Sequence, residues 1–218
     1  MEEYSDGIKM VVADASHEPY VDTILHLIKE ASLERDSGIA NRSHEYLATK
    51  MKERKAVIAL DRGEFAAFCY IECWENKHYV AHSGLIVAPK YRGRHLATRV
   101  KKMTFALTRL RWPEALIYSL TNSGAVMHIN ASLGYVPVPF SEMTQDDVFW
   151  RSCGSPSHPH CVNCDVLAQS ERKYCVCTGM IYDPQHHLDE PFPVELSQEV
   201  LDFIKKAENK IFIPLTSL

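Results

Sequence analysis

The chain of 218 residues is long enough for one good-sized domain, or a domain with an appendage, and its core needs no covalent staples. A formal net charge of −4, with Lys and Arg dispersed except between Arg92 and Lys102, argues against general nucleic-acid binding, and no apolar run of eighteen residues exists to span a membrane. Seven cysteines are an odd count that fits reduced thiols or a metal site better than a secreted disulfide framework, and the acidic opening Met1-Glu2-Glu3 leads us to expect a cytoplasmic protein.

Ile8 to Ala13 reads as a first strand, and His17 to Leu33 as a helix carrying Val21, Ile24, Leu25, Ile28 and Leu33 on one stripe. A polar loop around Gly38 follows, and Ser43 is placed to cap a second helix through Lys52. Arg35 and Arg42 in that connection are either solvated surface or an anion clamp, since a guanidinium fork matches a carboxylate. Ala56 to Leu60, Phe65 to Trp74 and His78 to Val87 are three strand-like runs, joined by Asp61-Arg62-Gly63 and Glu75-Asn76-Lys77 into an antiparallel meander.

The third run breaks at Pro89 and passes through Arg92-Gly93-Arg94-His95 into a helical pattern of Leu96, Val100, Met103, Leu107 and Leu110. Such a helix start leaves backbone N–H groups free from Gly93 to Ala97, a phosphate-binding arrangement whose plainer alternative is a solvated cap. Ala115 to Thr121 is the next strand, and a strand–helix–strand connection calls for parallel pairing. Asn122 or Ser123 can cap a short helix to Leu133, Gly134 suits its C′ position, and Tyr135 to Phe140 is a proline-interrupted edge strand.

Beyond Phe140 the character changes. Thr144 opens a helix-start pattern, and Cys153, Cys161, Cys164, Cys175 and Cys177 crowd together with His158 and His160. These are either zinc ligands or reduced thiols in a loop and a strand, because Cys175 and Cys177 point to opposite faces if their segment is extended. Tyr174 to Tyr182 reads as a further strand, Ser197 as the cap of an amphipathic helix with Val200, Leu201, Phe203 and Ile204, and Ile211 to Pro214 as a short apolar strand or a packed tail. The organisation expected is a core over residues 1–140 and an extension over 141–218 packed on the same domain.

The run Val87-x-Pro89-x-Tyr91-Arg92-Gly93-x-x-Leu96-Ala97 resembles the acyl-CoA pyrophosphate loop of the GNAT superfamily of N-acyltransferases, Arg/Gln-x-x-Gly-x-Gly/Ala. Arg92 and Ala97 fit it, and His95 stands at the central glycine, where a side chain either crowds the pyrophosphate or adds a donor to it. The order of elements over residues 8 to 140 also resembles that fold, and Asn122-x-x-Ala125 with Gly134-Tyr135 resembles its later motif. The resemblance implies an α/β (α+β) architecture, a mixed, splayed central sheet flanked by helices, here with a Cys-rich C-terminal extension. It also implies that Leu85, Ile86 and Val87 pair with pantetheine, that Arg92, Gly93, Arg94, His95, Leu96 and Ala97 hold pyrophosphate, and that Asn122 and Asn130 border the cofactor. The tyrosine that often protonates the leaving thiolate falls near Asn130, so that acid is either missing or supplied elsewhere, with His128 and Tyr135 as candidates, each with a plain reading as a packed side chain.

Acyl transfer to an amine needs a neutral amine, a polarised carbonyl and a proton for the thiolate. Glu72 and His82 lie on adjacent predicted strands and are candidates to move the proton; each is otherwise a strand residue, solvent-facing for Glu72 and tucked against the sheet for His82. Ser37 to Ser43, Ser83 to Val87 and Cys177 to Met180 look like a bacterial GNAT subgroup linked with arginine biosynthesis, N-acylglutamate synthase-like. That likeness implies an acetyl-CoA or succinyl-CoA donor, the α-amine of glutamate as acceptor and Arg42, then Arg35, as its carboxylate partners, with a homodimer left open. The competing reading is an acyl-CoA-binding regulatory module without turnover, using the Cys-rich segment as an interaction surface.

Overall fold

The computed structural model describes residues 7–33, 42–74, 78–146, 148–149, 177–187 and 196–209. Runs of β-branched and aromatic residues separated by short turns build a seven-stranded sheet in the order β1-β2-β3-β4-β5-β7-β6. The strands are β1 (Ile8–Val12), β2 (Ala56–Asp61), β3 (Glu64–Cys73), β4 (Tyr79–Val87), β5 (Leu116–Thr121), β6 (Val136–Val138) and β7 (Thr178–Tyr182). All neighbours pair antiparallel except β4 and β5, which run parallel because α3 (Leu96–Arg111) crosses between them.

The first helical segment begins differently from its apolar stripe. Ala15–Tyr20 is a 3-10 turn, and α1 is confined to Val21–Leu33. Pro19 has no N–H to give to an α-helical ladder, and Asp14 with His17 forms a capping box that closes the tighter turn. Ser43 caps α2 (His44–Lys52) by accepting from the Tyr46 amide. Ser123 caps α4 (Gly124–Ser132), and Gly134 takes φ +86 just past its end.

Two apolar layers hold the sheet. On one face Ile24 and Ile28 of α1 and Leu47 and Met51 of α2 pack on Ile58, Phe68, Tyr70 and Ile86. On the other, Val100, Met103 and Leu107 of α3 and Ile129 of α4 cover Val57, Cys69, Val80 and Ile117. Val200 and Ile204 of the last helix, α5 (Gln198–Asn209), join this second layer. Each such side chain contributes about 1.5–3 kcal/mol by leaving water. A separate aromatic cluster of Tyr79, Tyr118 and Phe149 sits with Trp74 over the β4–β5–β7 region.

Two irregularities in β4 position the site. Phe68 pairs with Ile86 and Tyr70 with Ser83, so Gly84 and Leu85 together stand opposite Cys69 in a bulge. Gly84 has φ +61, and a Cβ there would lie 2.5 Å from Cε1 of Tyr70. Across its other edge β4 pairs with β5 only at Tyr79–Leu116, Val80–Ile117 and Ala81–Tyr118. β4 then runs on to Val87 and β5 to Thr121 as the two arms of a gap with Ala81 and Tyr118 at its apex.

Cys153, Cys161, Cys164, Cys175, His158 and His160 lie outside the described residues, as do Arg35 and the segment Ile211 to Pro214. Among the described residues Cys69 and Cys73 are free thiols, no cluster of metal-ligating side chains occurs, and no helix is long and apolar enough to cross a membrane.

Candidate active site

The mouth of the gap is the start of α3. A 3-10 turn at Pro89–Tyr91, Gly93 at φ +74 and His95 at φ +58 bend the chain from β4 into the helix. His95 makes no side-chain capping bond, so the first N–H groups of α3 are left open beside the exposed Arg92, Gly93, Arg94 and His95. Arg92 Nε donates to the Val87 carbonyl at 3.3 Å, and the Arg94 guanidinium lies 5.7 Å from the Tyr91 ring centroid. The positive end of a sixteen-residue helix and two guanidinium groups therefore converge where β4 ends. His95 occupies the left-handed region that favours glycine, which histidine tolerates better than β-branched residues do.

The gap walls carry Leu85 and Val87, half-buried toward α3, and Ile86, buried toward α1 and α2. At the end of β5 the Nδ2 of Asn122 is buried without a hydrogen-bond partner among the described residues, an arrangement that costs about 1–3 kcal/mol until a ligand or water answers it. Asn130 donates to Ser119 Oγ at 2.9 Å and to Met180 Sδ at 3.6 Å, while its Oδ1 has no partner among the described residues. Gly93→Asp tests the mouth. A Cβ at Gly93 meets nothing within 4 Å, so the cost to the fold is confined to the left-handed backbone at φ +74, about 1–2 kcal/mol. If this mouth holds the pyrophosphate of an acyl-CoA, as the resemblance implies, a carboxylate there should weaken acetyl-CoA binding about tenfold or more, as read by calorimetry, and an unchanged Kd would place the anion site elsewhere.

On the α1/α2 face of the apex, Glu72 pairs with Ala81, which in turn pairs with Tyr118. Both carboxylate oxygens of Glu72 are engaged: Oε1 accepts from Lys50 Nζ at 2.6 Å and Oε2 accepts from the Tyr46 hydroxyl. Arg42 Nε donates to the Tyr70 hydroxyl at 2.8 Å, and its guanidinium lies 5.5 Å from the Tyr46 ring centroid. Burial pushes the Glu72 carboxyl up to about 7, against the pull of Arg42. Burial, reinforced by the charge of Lys55, brings the Lys50 ammonium down to about 8. Their 2.6 Å contact opposes both shifts, since each charge favours the other.

The α3 face of the apex is built otherwise. Tyr135 donates to Nδ1 of His82 at 3.3 Å, Nε2 of His82 then donates to Thr108 Oγ1 at 2.8 Å, and Thr108 donates to the Thr104 carbonyl at 2.8 Å. Burial holds the His82 pKa well below its ordinary value and the Tyr135 pKa well above its own, so both are neutral. Lys101 is buried beside them with Nζ 5.4 Å from the Tyr135 ring centroid. His128 is exposed on α4. The structure thus separates Glu72 from His82 and Tyr135 by the thickness of the sheet and brings Arg42 to Glu72 through Tyr70 and Tyr46.

Lys50 and Tyr46 escaped the sequence reading. One signal was available, since residues four apart share a helix face and α2 is amphipathic. Their partner on a strand 22 to 26 residues away leaves no local mark.

No protein-family model matches the sequence, and no curated protein matches it. Solved structures do resemble it. N-acetylglutamate synthase from Neisseria gonorrhoeae, complexed with coenzyme A and N-acetyl-glutamate, is 11% identical with a TM-score of 0.57, over 84% of this chain and 36% of that one. This chain therefore spans about a third of the length of that enzyme. The protein yncA from Salmonella typhimurium, with its cofactor acetyl-CoA, is 14% identical with a TM-score of 0.54, over 87% of this chain and 99% of that one. An N-acetyltransferase from Staphylococcus aureus Mu50 is 9% identical with a TM-score of 0.54, over 81% and 98%. At these identities the likeness establishes the fold.

Proposed function

We infer from the GNAT fold of this chain, and from the Glu72 cluster at the apex of its β4–β5 gap, that it is an acyl-CoA-dependent N-acyltransferase. The observation that carries this reading is the gap itself: a sheet opened beside a bare helix N-terminus on one side and a half-buried carboxylate on the other. The donor, an acetyl- or succinyl-CoA, supplies an activated thioester. The amides from Gly93 to Ala97 with Arg92 and Arg94 hold its pyrophosphate, the free edge of Leu85, Ile86 and Val87 holds the pantetheine amides, and Asn122 offers its unanswered donor.

The acceptor amine binds on the α1/α2 face, where Glu72 takes its proton; a carboxyl held near 7 is matched to that task. Tyr135 is the phenol on the donor side, kept protonated by burial, from which a departing thiolate draws its proton. Arg42, already oriented by Tyr70, pairs with a carboxylate of the acceptor, and a small acidic amino acid, glutamate before others, fits that charge.

Thiol release from acetyl-CoA and succinyl-CoA across a panel of amino acids tests this. Glutamate-dependent release is expected, and CoA binding without release on any amine would favour the regulatory module. Arg42→Ala should raise the acceptor KM about tenfold or more while donor KM stays put, and Arg42→Lys should recover only part, because lysine keeps the charge and loses the fork. The exposed Lys52→Ala is the control. Equal KM in all of these would remove Arg42 from the acceptor site.

A further inference from the structure

Lys50 and Lys101 are the buried lysines among the described residues, and they lie on opposite faces of the sheet. Lys101 is packed under Tyr135 on the donor side. Lys50 is on the acceptor side, its Nζ 2.6 Å from Oε1 of Glu72 and 4.8 Å from the Tyr46 ring centroid. Glu72 is one strand away from Ala81, the last residue paired across β4 and β5 before the gap opens. In the proposed reaction an acceptor amine must sit against this carboxylate, at this end of the gap. The Lys50 amine is there already.

We propose that Lys50 is a self-acylation site: its side-chain amine is itself an acceptor for the acyl group of a bound acyl-CoA when no external amine is present. The inference rests on the N-acyltransferase reading and extends it to an intramolecular acceptor. The lysine gives one proton to the Glu72 carboxylate, and the freed lone pair attacks the thioester carbonyl carbon. A C–N bond forms and the C–S bond breaks. The second nitrogen proton ends on the departing sulfur, leaving an amide, a CoA thiol and a protonated Glu72 that returns its proton to water.

Three features favour Lys50 over the surface lysines. It is held against a base, its ammonium is desolvated, and Lys55 and Arg42 raise the cost of keeping it charged, against the opposing charge of Glu53. The product amide has no charge and is not a thioester, so it does not pass the acyl group on. It removes the cation from Glu72 and fills the acceptor seat, so that the modified chain is a blocked enzyme, formed when donor is abundant and acceptor scarce.

The experiment incubates the whole protein with acetyl-CoA and no amine, then maps acetylated peptides by mass spectrometry against time. Acetylation of Lys50 should outrun that of the exposed Lys9 and Lys52 by about tenfold or more, the advantage expected of a held nucleophile. Glu72→Gln should slow it about tenfold or more through loss of the base. Lys50→Arg, which keeps a cation against Glu72 and cannot form the amide, should show no label at that peptide and no time-dependent loss of transferase activity on preincubation with acetyl-CoA. Excess glutamate in the incubation should protect Lys50. Label spread evenly over Lys9, Lys50 and Lys52 overturns the proposal, and so does its absence from Lys50 in a protein that still acylates glutamate. If the protein neither binds acetyl-CoA nor releases thiol to any amine, the transferase reading falls with it.

Discussion

Glu72→Gln is expected to lower kcat/KM by about 10²–10⁴, the range a positioned general base contributes. The sign of the pH dependence follows from burial. Because burial raises the carboxyl to about 7, the proton-accepting carboxylate is lost as pH falls through that value. Activity, compared at a fixed concentration of free amine, should fall about tenfold per pH unit below 7 and flatten above it. The glutamine variant should lack that limb. The substitution would leave Lys50 facing a neutral amide, so a thermal melt must accompany the kinetics to show that the fold survives. A folded Glu72→Gln protein with parental kcat/KM, or one that keeps the acidic limb, would hand the base role to another group.

The second large effect is on stability. Gly84→Ala should cost about 2–5 kcal/mol, combining the left-handed backbone penalty with overpacking. The added Cβ would meet Cε1 of Tyr70 at 2.5 Å and Cδ1 at 2.8 Å, and Tyr70 is buried, packed with Phe68 and Ile86 and edge-on to the Tyr46 ring of α2. Gly63→Ala separates the two causes. Gly63 also has positive φ, at +86, but nothing lies within 4 Å of its Cβ, so only the backbone penalty of about 1–2 kcal/mol applies. Urea midpoints for the two variants give the difference. If both lose the same amount, the Tyr70 contact is not what reserves position 84 for glycine. Where the Gly84 variant still folds, the displaced Tyr70 should also loosen Arg42, whose Nε it accepts, and raise the acceptor KM.

Local chemistry made most of the fold readable. The turn at Asp61-Arg62-Gly63, the cap at Ser43 and the basic loop after Val87 each carry their conformation in a few adjacent residues, and the strands and helices between them came out within a residue or two. Pro19 was the local signal whose effect on the first helix the stripe concealed. What had no local signature was partnership. Glu72 and Arg42 stood out as ionisable residues in suggestive places, but the groups that hold Glu72 are Lys50 and Tyr46 on another element, and His82 pairs with Ile71, facing away from Glu72, in a register that changes only beyond Tyr70, at a bulge one residue long. An isolated glycine inside an apolar strand was the available sign of that bulge, and Gly84 is that glycine.

The slot of β7 between β5 and β6 bears on how the chain is made. Sequence order and spatial order part company here: Val136–Val138 leaves the ribosome well before Thr178–Tyr182, yet finds its place in the sheet only alongside that later strand, at Val136–Ile181, Pro137–Met180 and Val138–Gly179. Until β7 is made, the outer edge of β5 lacks the strand it pairs with in the sheet, and the short proline-bearing β6 has no neighbour to join. The two prolines flanking Val138 deny that waiting segment the regular donors needed to recruit a wrong neighbour. The arm of the gap that β5 forms is thus finished last, by residues that the catalytic reading never touches.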